Sequence, residues 1–151
     1  MKALVLYHSQ EAGNTAAMAD AVAEGLRSAG AHVALHNTND ARFDVEEFAQ
    51  YDCVAIGSPD YYSYVAGGLK MFLDDHHIAS EIKGMPRLKD KPYALFYSHG
   101  GGGKVKKPLE DLFKRIGKKV GDTVESKGKP EGKVLETCKA LGAQLAAAVR
   151  H

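Results

Sequence analysis

The chain has 151 residues, of which 20 are Lys or Arg and 19 are Asp or Glu, so its formal net charge at pH 7 is +1. This length fits one compact domain, residues 1–151, and a charge so close to zero gives no field that would favour nucleic acid or an anionic membrane as a partner. The two cysteines, Cys53 and Cys138, form no CxxC pair, which argues against a disulfide framework, a metal site and an iron–sulfur cluster.

Short apolar runs rich in Val, Ile, Leu and Tyr, bounded by turn residues, predict β-strands that are buried on both faces. Four such runs are clear, at residues 3–7, 32–35, 53–56 and 93–97. A weaker fifth run, residues 119–124, alternates more and carries charge, which is typical of an edge strand. The first run is too short for a signal sequence or a membrane span, so we expect a cytoplasmic protein that binds no membrane.

Between the strands, apolar residues recur three and four positions apart, which is the spacing of one face of an α-helix. The stripes are Met18, Val22 and Leu26; Leu69, Phe72 and Leu73; Val105, Leu109, Leu112, Phe113 and Ile116; and Val134, Cys138, Leu141, Leu145 and Val149. The stretch 44–48 is long enough for only one or two helical turns. The adjacent His76 and His77 would point about 100° apart on a helix, so we expect a solvated helix end rather than a metal site.

Strands that alternate with helices predict an α/β fold, in which a parallel sheet is covered on both faces. We therefore expect a doubly wound three-layer sandwich with a five-stranded parallel sheet. Ligands of such a sheet bind beyond the carboxyl ends of its strands, so the candidate site lies in the loops after strands one, three and four.

The first of these loops, residues 8–15, leads directly into a helix. Gly13 permits a tight turn, and Ser9, Asn14 and Thr15 offer side-chain donors beside the free amides of the helix N-terminus, where a phosphate is favoured. Asn14 or Thr15 can instead serve as an ordinary N-cap.

The other two loops favour a flat ligand with a polar edge. In the second loop, residues 57–64, Tyr61 and Tyr62 are the preferred contacts for a ring system, although one or two of its three tyrosines can instead pack beneath the loop. In the third, four glycines at 100–103 let the backbone approach a ligand, although a flexible connector has the same composition. His99 before them either tunes the ligand or shuttles a proton, or it is a solvent-exposed loop residue.

With these three loops the sequence resembles the flavodoxin family along nearly the whole chain. The segment 13–15, Gly-Asn-Thr, with Ser9 upstream is similar to that family's FMN phosphate loop, and the segment 57–73 resembles the first flavin loop and helix of short flavodoxins and of the related quinone reductases. Ser98 with the glycine run is similar to the second flavin loop. The resemblance implies a strand order of 2-1-3-4-5 and one FMN that is bound without a covalent link.

The resemblance also implies which residues contact FMN, and it implies neither a catalytic side chain nor a metal. The expected contacts are Ser9, Glu11, Ala12, Gly13, Asn14, Thr15, Ser58, Pro59, Asp60, Tyr61, Tyr62, Ser98, His99, Gly100, Gly101 and Gly103. Two departures from the family are a phosphate loop that is one residue longer and the absence of Trp. A third is the cluster Lys104, Lys106 and Lys107 where the family is acidic, from which we predict a less negative reduction potential than that of acidic flavodoxins.

The function that the resemblance implies is electron transfer, with FMN shuttling electrons between a reductase and an acceptor protein, in a monomer or a homodimer. The alternative is an FMN-dependent NAD(P)H:quinone or other small-molecule oxidoreductase, for which the chain lacks an obvious second nucleotide site. A phosphorylated receiver domain shares the topology, but the ends of strands one and three, residues 7–9 and 57–58, lack the carboxylates that its chemistry needs.

Overall fold

A parallel sheet forms the middle layer of the computed structural model, which describes residues 1–10 and 12–149. Its strands are β1 (Lys2–Tyr7), β2 (His32–Asn37), β3 (Cys53–Pro59), β4 (Lys91–His99), β5 (Gly117–Lys119) and β6 (Val124–Lys127). The order is β2-β1-β3-β4-β5, with β6 also paired to β4, and all of these pairings are parallel. The predicted doubly wound sheet and its order are therefore confirmed.

Helices cover both faces of the sheet. They are α1 (Asn14–Ser28), α2 (Gly67–His77), α3 (Lys106–Phe113) and α4 (Lys133–Val149), with 3-10 turns at Val45–Gln50 and Lys114–Ile116 and a π-helical turn at Ile78–Ile82. The stripes of α1 and α4 are buried against one face, and those of α2 and α3 against the other. Within the described residues, no helix is long and apolar enough to cross a bilayer.

The fifth strand differs from its prediction. Instead of one strand at 119–124, two short strands share the edge, with β5 beside Lys91–Tyr93 and β6 beside Phe96–His99. Between them the chain turns at Gly121, whose φ of 68° is left-handed and whose carbonyl accepts a hydrogen bond from Lys119 Nζ at 2.8 Å. The charged, alternating pattern did predict an edge, but it could not locate this interruption.

The helix end at His76 also differs from its prediction. His77 is exposed, but His76 is buried between the aromatic rings of Phe48 and Phe72, and its Nε2 lies 2.6 Å from the carbonyl oxygen of Leu88. Burial lowers the pKa of His76, because charging the imidazole there would cost solvation energy. His76 therefore belongs to the core beneath α2.

Helices α1 and α4 pack through their backbones. A Cβ on Gly25 would lie 2.0 Å from the carbonyl oxygen of Lys139, and one on Gly142 would lie 2.2 Å from that of Val22. Only glycine permits this approach at either position. The packing fixes α1 against the sheet, and with it the loop that precedes α1.

Candidate functional site

A cavity of about 260 Å³ lies over the carboxyl ends of β1, β3 and β4. Its lining residues are Ser9, Gln10, Ala12, Gly13, Asn14, Thr15, Pro59, Asp60, Tyr61, Ser98, His99, Gly100 and Gly128. All three loops that the sequence singled out contribute to this lining. A larger depression of about 670 Å³ lies between α4 and the stretch 121–125, and no predicted site residue lines it.

The first loop is held open by its neighbours. The side-chain amide of Asn37 donates to the carbonyl oxygen of Ser9 at 3.0 Å, and the Ser9 backbone amide donates to the side-chain oxygen of Asn37 at 3.0 Å. The Ser9 hydroxyl accepts a hydrogen bond from the Ala16 amide at 3.1 Å. This clamp aims the loop and the N-terminus of α1 into the cavity.

The N-cap residue of α1 is Gly13, with φ 71° and ψ 21°, which has no side chain to bond the helix amides. The interpretation of Asn14 or Thr15 as an ordinary N-cap is therefore wrong. Both residues lie in the first turn of α1, where the backbone amides have no acceptor carbonyl within the helix. Asn14 lines the cavity, and the hydroxyl of the buried Thr15 lies 2.8 Å from that of Ser98. Glu11, also predicted in this loop, lies outside the described residues.

The second loop contributes fewer contacts than predicted. Ser58 is buried beneath it, where its hydroxyl donates to the Pro59 carbonyl at 2.7 Å and accepts from the Ala66 amide at 3.2 Å. Asp60 lines the cavity and accepts hydrogen bonds from the backbone amides of Ser63 and Val105. The latter bond ties the second loop to the residues that follow the third.

The tyrosines of the second loop all remain near solvent. Tyr61 and Tyr64 pair across a turn in which Tyr62 and Ser63 have left-handed φ values of 55° and 64°. Tyr61 lines the cavity, and its hydroxyl donates to the side-chain oxygen of Gln10 at 3.1 Å. Tyr62 is fully exposed and does not line the cavity, and no tyrosine of this loop packs beneath it.

The third loop shows two different uses of glycine. Gly100 lines the cavity, and a Cβ added to Gly100 or Gly101 would meet no atom within 4 Å. Gly103 does not line it, but its φ of 65° is left-handed and a Cβ there would lie 2.9 Å from Oε2 of Glu125. Gly103 is therefore needed where the loop packs on the chain itself.

His99 is a buried residue with a carboxylate beside it. Its side chain is 5% exposed, and its Nε2 lies 2.9 Å from Oε2 of Glu125. That oxygen accepts a hydrogen bond from the Tyr97 hydroxyl at 2.7 Å, which lowers the pKa of Glu125. Neither ring nitrogen of His99 makes a well-directed hydrogen bond within the described residues. The interpretation of His99 as an exposed loop residue is therefore wrong.

Sequence reasoning missed four residues of the site: Gln10 and Gly128 in the lining, Asn37 in the clamp and Glu125 beside His99. Gln10 follows Ser9 in the predicted loop, and this position was the signal that could have identified it as a site residue. The Gly128 amide donates to the His99 carbonyl at 2.7 Å, just beyond β6. A correct placement of the edge strand would have brought both Gly128 and Glu125 to this side of the sheet.

A 2-1-3-4-5 parallel sheet with a cavity over its carboxyl ends defines a flavodoxin-like protein. Residues 4–138 match the family model of the flavodoxin domain, so the chain belongs to the flavodoxin family. It is similar in structure to a flavodoxin from the domain Archaea, with 29% identity, a TM-score of 0.84 and 100% of both chains covered.

Two curated relatives are longer than this chain. The anaerobic nitric oxide reductase flavorubredoxin of Aeromonas salmonicida is 26% identical over 147 residues, which cover 95% of this chain and 27% of that protein. The NAD(P)H dehydrogenase (quinone) of Paracoccus denitrificans is 34% identical over 120 residues, which cover 65% of this chain and 56% of that protein. The chain therefore spans little more than a quarter of the first relative and about half of the second.

Proposed function

We propose that the chain binds one FMN non-covalently in the cavity of about 260 Å³ and transfers electrons between a reductase and an acceptor protein. The observation that carries this proposal is the convergence of three loops, each singled out separately in the sequence, on that one cavity. FMN supplies the one- and two-electron chemistry when it is bound, and the protein supplies binding, orientation and electrostatics.

The first loop suits the phosphate of FMN. The Ser9 hydroxyl already accepts a hydrogen bond from Ala16, so its proton is free to be donated to an anion. Gly13 and Asn14 stand at the start of α1, whose first amides have no acceptor within the helix, and the partial positive charge of the helix N-terminus stabilises an anion without a basic side chain. We assign Ser9, Gly13 and Asn14 to the phosphate.

The second and third loops suit the ring of FMN. Tyr61 offers an aromatic surface at the cavity, and its hydroxyl is anchored on Gln10. Among the residues that the structure describes, no neighbour lies where a Cβ on Gly100 would be, so the bare backbone there supports a close approach by a ligand. We assign Pro59, Tyr61 and Gly100 to the ring, and we leave Tyr62 out because its side chain points away into solvent.

The second candidate function is the NAD(P)H:quinone oxidoreductase. The similarity to a quinone dehydrogenase favours it, and so does the side chain of His99 in the cavity lining, since an imidazole there can hydrogen-bond a small acceptor. Under this reading a small quinone, rather than an acceptor protein, receives the electrons.

Anaerobic reduction of the FMN-loaded protein separates the two functions. For the electron carrier we expect that NADPH alone leaves the flavin absorbance unchanged and that a catalytic amount of an NADPH-dependent flavodoxin reductase bleaches it. Rapid bleaching by NADPH without a reductase would instead support the oxidoreductase. Bleaching under neither condition, with dithionite still effective, would contradict both functions.

A further inference from the structure

We propose that the mouth of the cavity is a docking surface for an electron-transfer protein with an acidic surface. The surface consists of Lys104, Lys106, Lys127 and Lys129, called the basic rim below, together with the exposed side chain of Tyr62. The inference rests on the proposed function, because it specifies the charge of the partner that exchanges electrons at this site.

Strand pairing brings one half of the basic rim to the cavity. Lys127 is the parallel partner of His99 at the ends of β6 and β4, and the next residue, Gly128, both lines the cavity and bonds to the His99 carbonyl. Lys129 follows directly, and both lysines are exposed. The backbone at both lysines therefore lies beside the cavity lining.

The glycine-rich loop carries the other half. The loop touches β6, because the Cβ position of Gly103 lies 2.9 Å from Glu125 Oε2, and it continues into the exposed Lys104 and Lys106. The positive charge of Lys106 contributes to the lowered pKa of Glu125, although the hydrogen bond from Tyr97 contributes more. The two halves of the basic rim are thus adjacent.

The charges of the basic rim are largely uncompensated. Within the described residues, Lys104, Lys106 and Lys127 form no ion pair, whereas the residue after Lys106, Lys107, pairs with Asp111 at 2.8 Å. Lys129 pairs with Glu131 only at 3.9 Å, and both side chains are more than two-thirds exposed, so the pairing is weak.

The carboxylates of Asp60 and Glu125 beside the basic rim accept hydrogen bonds from within the chain. Both oxygens of Asp60 accept backbone amides, and Glu125 accepts the Tyr97 hydroxyl and faces His99. Asp40 also lies at this end of the sheet, but it follows β2 at the opposite edge. Among the described residues, the four lysines of the basic rim therefore exceed the three carboxylates beside it, Asp60, Glu125 and Glu131, by one charge.

Tyr62 supplies the contact that a charged rim alone lacks. It is fully exposed at the tip of a turn, with a left-handed φ of 55° that a β-hairpin-like pairing of Tyr61 with Tyr64 maintains. Tyrosine is enriched at protein interfaces because it combines a large apolar area with few rotatable bonds. An exposed tyrosine at the same end of the sheet as the basic rim therefore fits an acidic partner with an apolar centre, and unpaired lysines at this end would speed the encounter with such a partner.

Two non-physiological electron acceptors of opposite charge test the inference. The FMN-loaded protein is reduced by two electrons and mixed in a stopped-flow instrument with acidic plastocyanin or with basic cytochrome c. Each acceptor takes one electron, Cu(II) to Cu(I) or Fe(III) to Fe(II), so two molecules reoxidise one flavin. We expect the rate constant with plastocyanin to fall at least about tenfold between about 10 and 300 mM salt, and that with cytochrome c to stay constant or rise.

Charge reversal locates the effect. In the double variant Lys104→Glu/Lys127→Glu we expect the rate with plastocyanin at low salt to fall at least about tenfold and the rate with cytochrome c to rise. The variant Tyr62→Ser should lower the rate constant with plastocyanin at high salt as well as at low salt. The matched control is Lys83→Glu, at an exposed residue that precedes β4 at the opposite end of the sheet, and it should change neither rate.

The outcomes separate this inference from the proposed function. If the purified variants and the wild type contain no FMN by absorbance, the proposed function fails. If all of them contain FMN and accept electrons normally, but the plastocyanin rate depends neither on salt nor on the two lysines, only the acidic partner is overturned. Thermal unfolding of each loaded variant shows that it is folded before its rates are compared.

Discussion

The hydroxyl groups of Thr15 and Ser98 lie 2.8 Å apart in a buried hydrogen bond that joins the first turn of α1 to the end of β4. The two residues are 83 positions apart in the sequence, and each belongs to a different loop of the candidate site. The bond couples the positions of the first and third loops, so the shape of the cavity depends on a contact between two of its lining residues.

Thr15→Val should destabilise the apoprotein by about 1–2 kcal/mol, because the variant keeps the shape of the side chain but leaves the buried Ser98 hydroxyl without its partner. Urea unfolding of Thr15→Val, Ser98→Ala and the double variant measures this. We expect the double variant to lose less stability than the sum of the single losses, since both single changes remove the same bond. Strictly additive losses would show that the two hydroxyls do not interact.

Gly142→Ala and Gly25→Ala should each destabilise the chain by roughly 2 kcal/mol or more, because a Cβ at either position would overlap a backbone carbonyl of the facing helix. The control is Gly67→Ala at the start of α2, where a Cβ would meet no atom within 4 Å. The melting temperature of the control should equal or slightly exceed that of the wild type. Equal melting temperatures for all of these proteins would contradict the close packing of α1 and α4.

Stability should decrease below about pH 6.5 because of His76. Burial lowers the pKa of His76 in the folded chain, whereas the unfolded imidazole keeps its ordinary pKa of about 6.5. The unfolded state therefore binds the proton more readily, so this contribution is complete above about pH 6.5 and is lost as the pH falls toward the lower folded pKa.

The variant His76→Gln isolates this contribution, because glutamine can still donate to the Leu88 carbonyl but does not titrate. Between about pH 7.5 and pH 5.5 the wild type should lose more unfolding free energy than the variant. Urea unfolding at the two pH values measures both losses. Identical losses would show that His76 is protonated equally in the folded and unfolded chains.

The unpaired lysines should make the bound flavin easier to reduce. Lys107 is paired with Asp111, whereas Lys104 and Lys106 form no ion pair within the described residues, so we expect these two lysines to contribute most of the predicted effect. Lys104→Gln/Lys106→Gln should lower the midpoint potential of the bound flavin by on the order of tens of millivolts, because the reduced ring is anionic and loses positive charge nearby. Spectroelectrochemical titration measures this shift, and Lys107→Gln is the matched control. A larger shift in the control would refute the assignment.

The sequence predicted those parts of the molecule that local pattern determines. The buried apolar runs of β1, β3 and β4 located the sheet, and the loops after them located the cavity. The edge was harder, because β5 and β6 are only 3 and 4 residues long and a turn at Gly121 interrupts them. Since Glu125 lies on β6, the partner of His99 could not be predicted either.

Side-chain direction was the second limit. Tyr61 and Tyr62 are adjacent and chemically alike, yet one lines the cavity and the other points into solvent. The difference arises from the left-handed turn at Tyr62 and Ser63, and a non-glycine residue in that conformation carries no strong sequence signal. Gly103 illustrates the same limit. Glycine is needed there because the backbone packs against Glu125, a residue that is distant in the sequence.

The most direct test of the proposed FMN site is a fluorescence titration of the apoprotein with FMN and, separately, with riboflavin, which lacks the phosphate. We expect the apoprotein to bind FMN and quench its fluorescence, and to bind riboflavin at least about tenfold more weakly. The variant Asn14→Asp should lower the affinity for FMN by at least about tenfold and leave the affinity for riboflavin unchanged, because the new negative charge would repel only the phosphate. Gln50→Glu, the same change of charge at the other end of the sheet, should have no effect. Failure of the folded apoprotein to quench FMN, or equal affinity for FMN and riboflavin, would contradict the account.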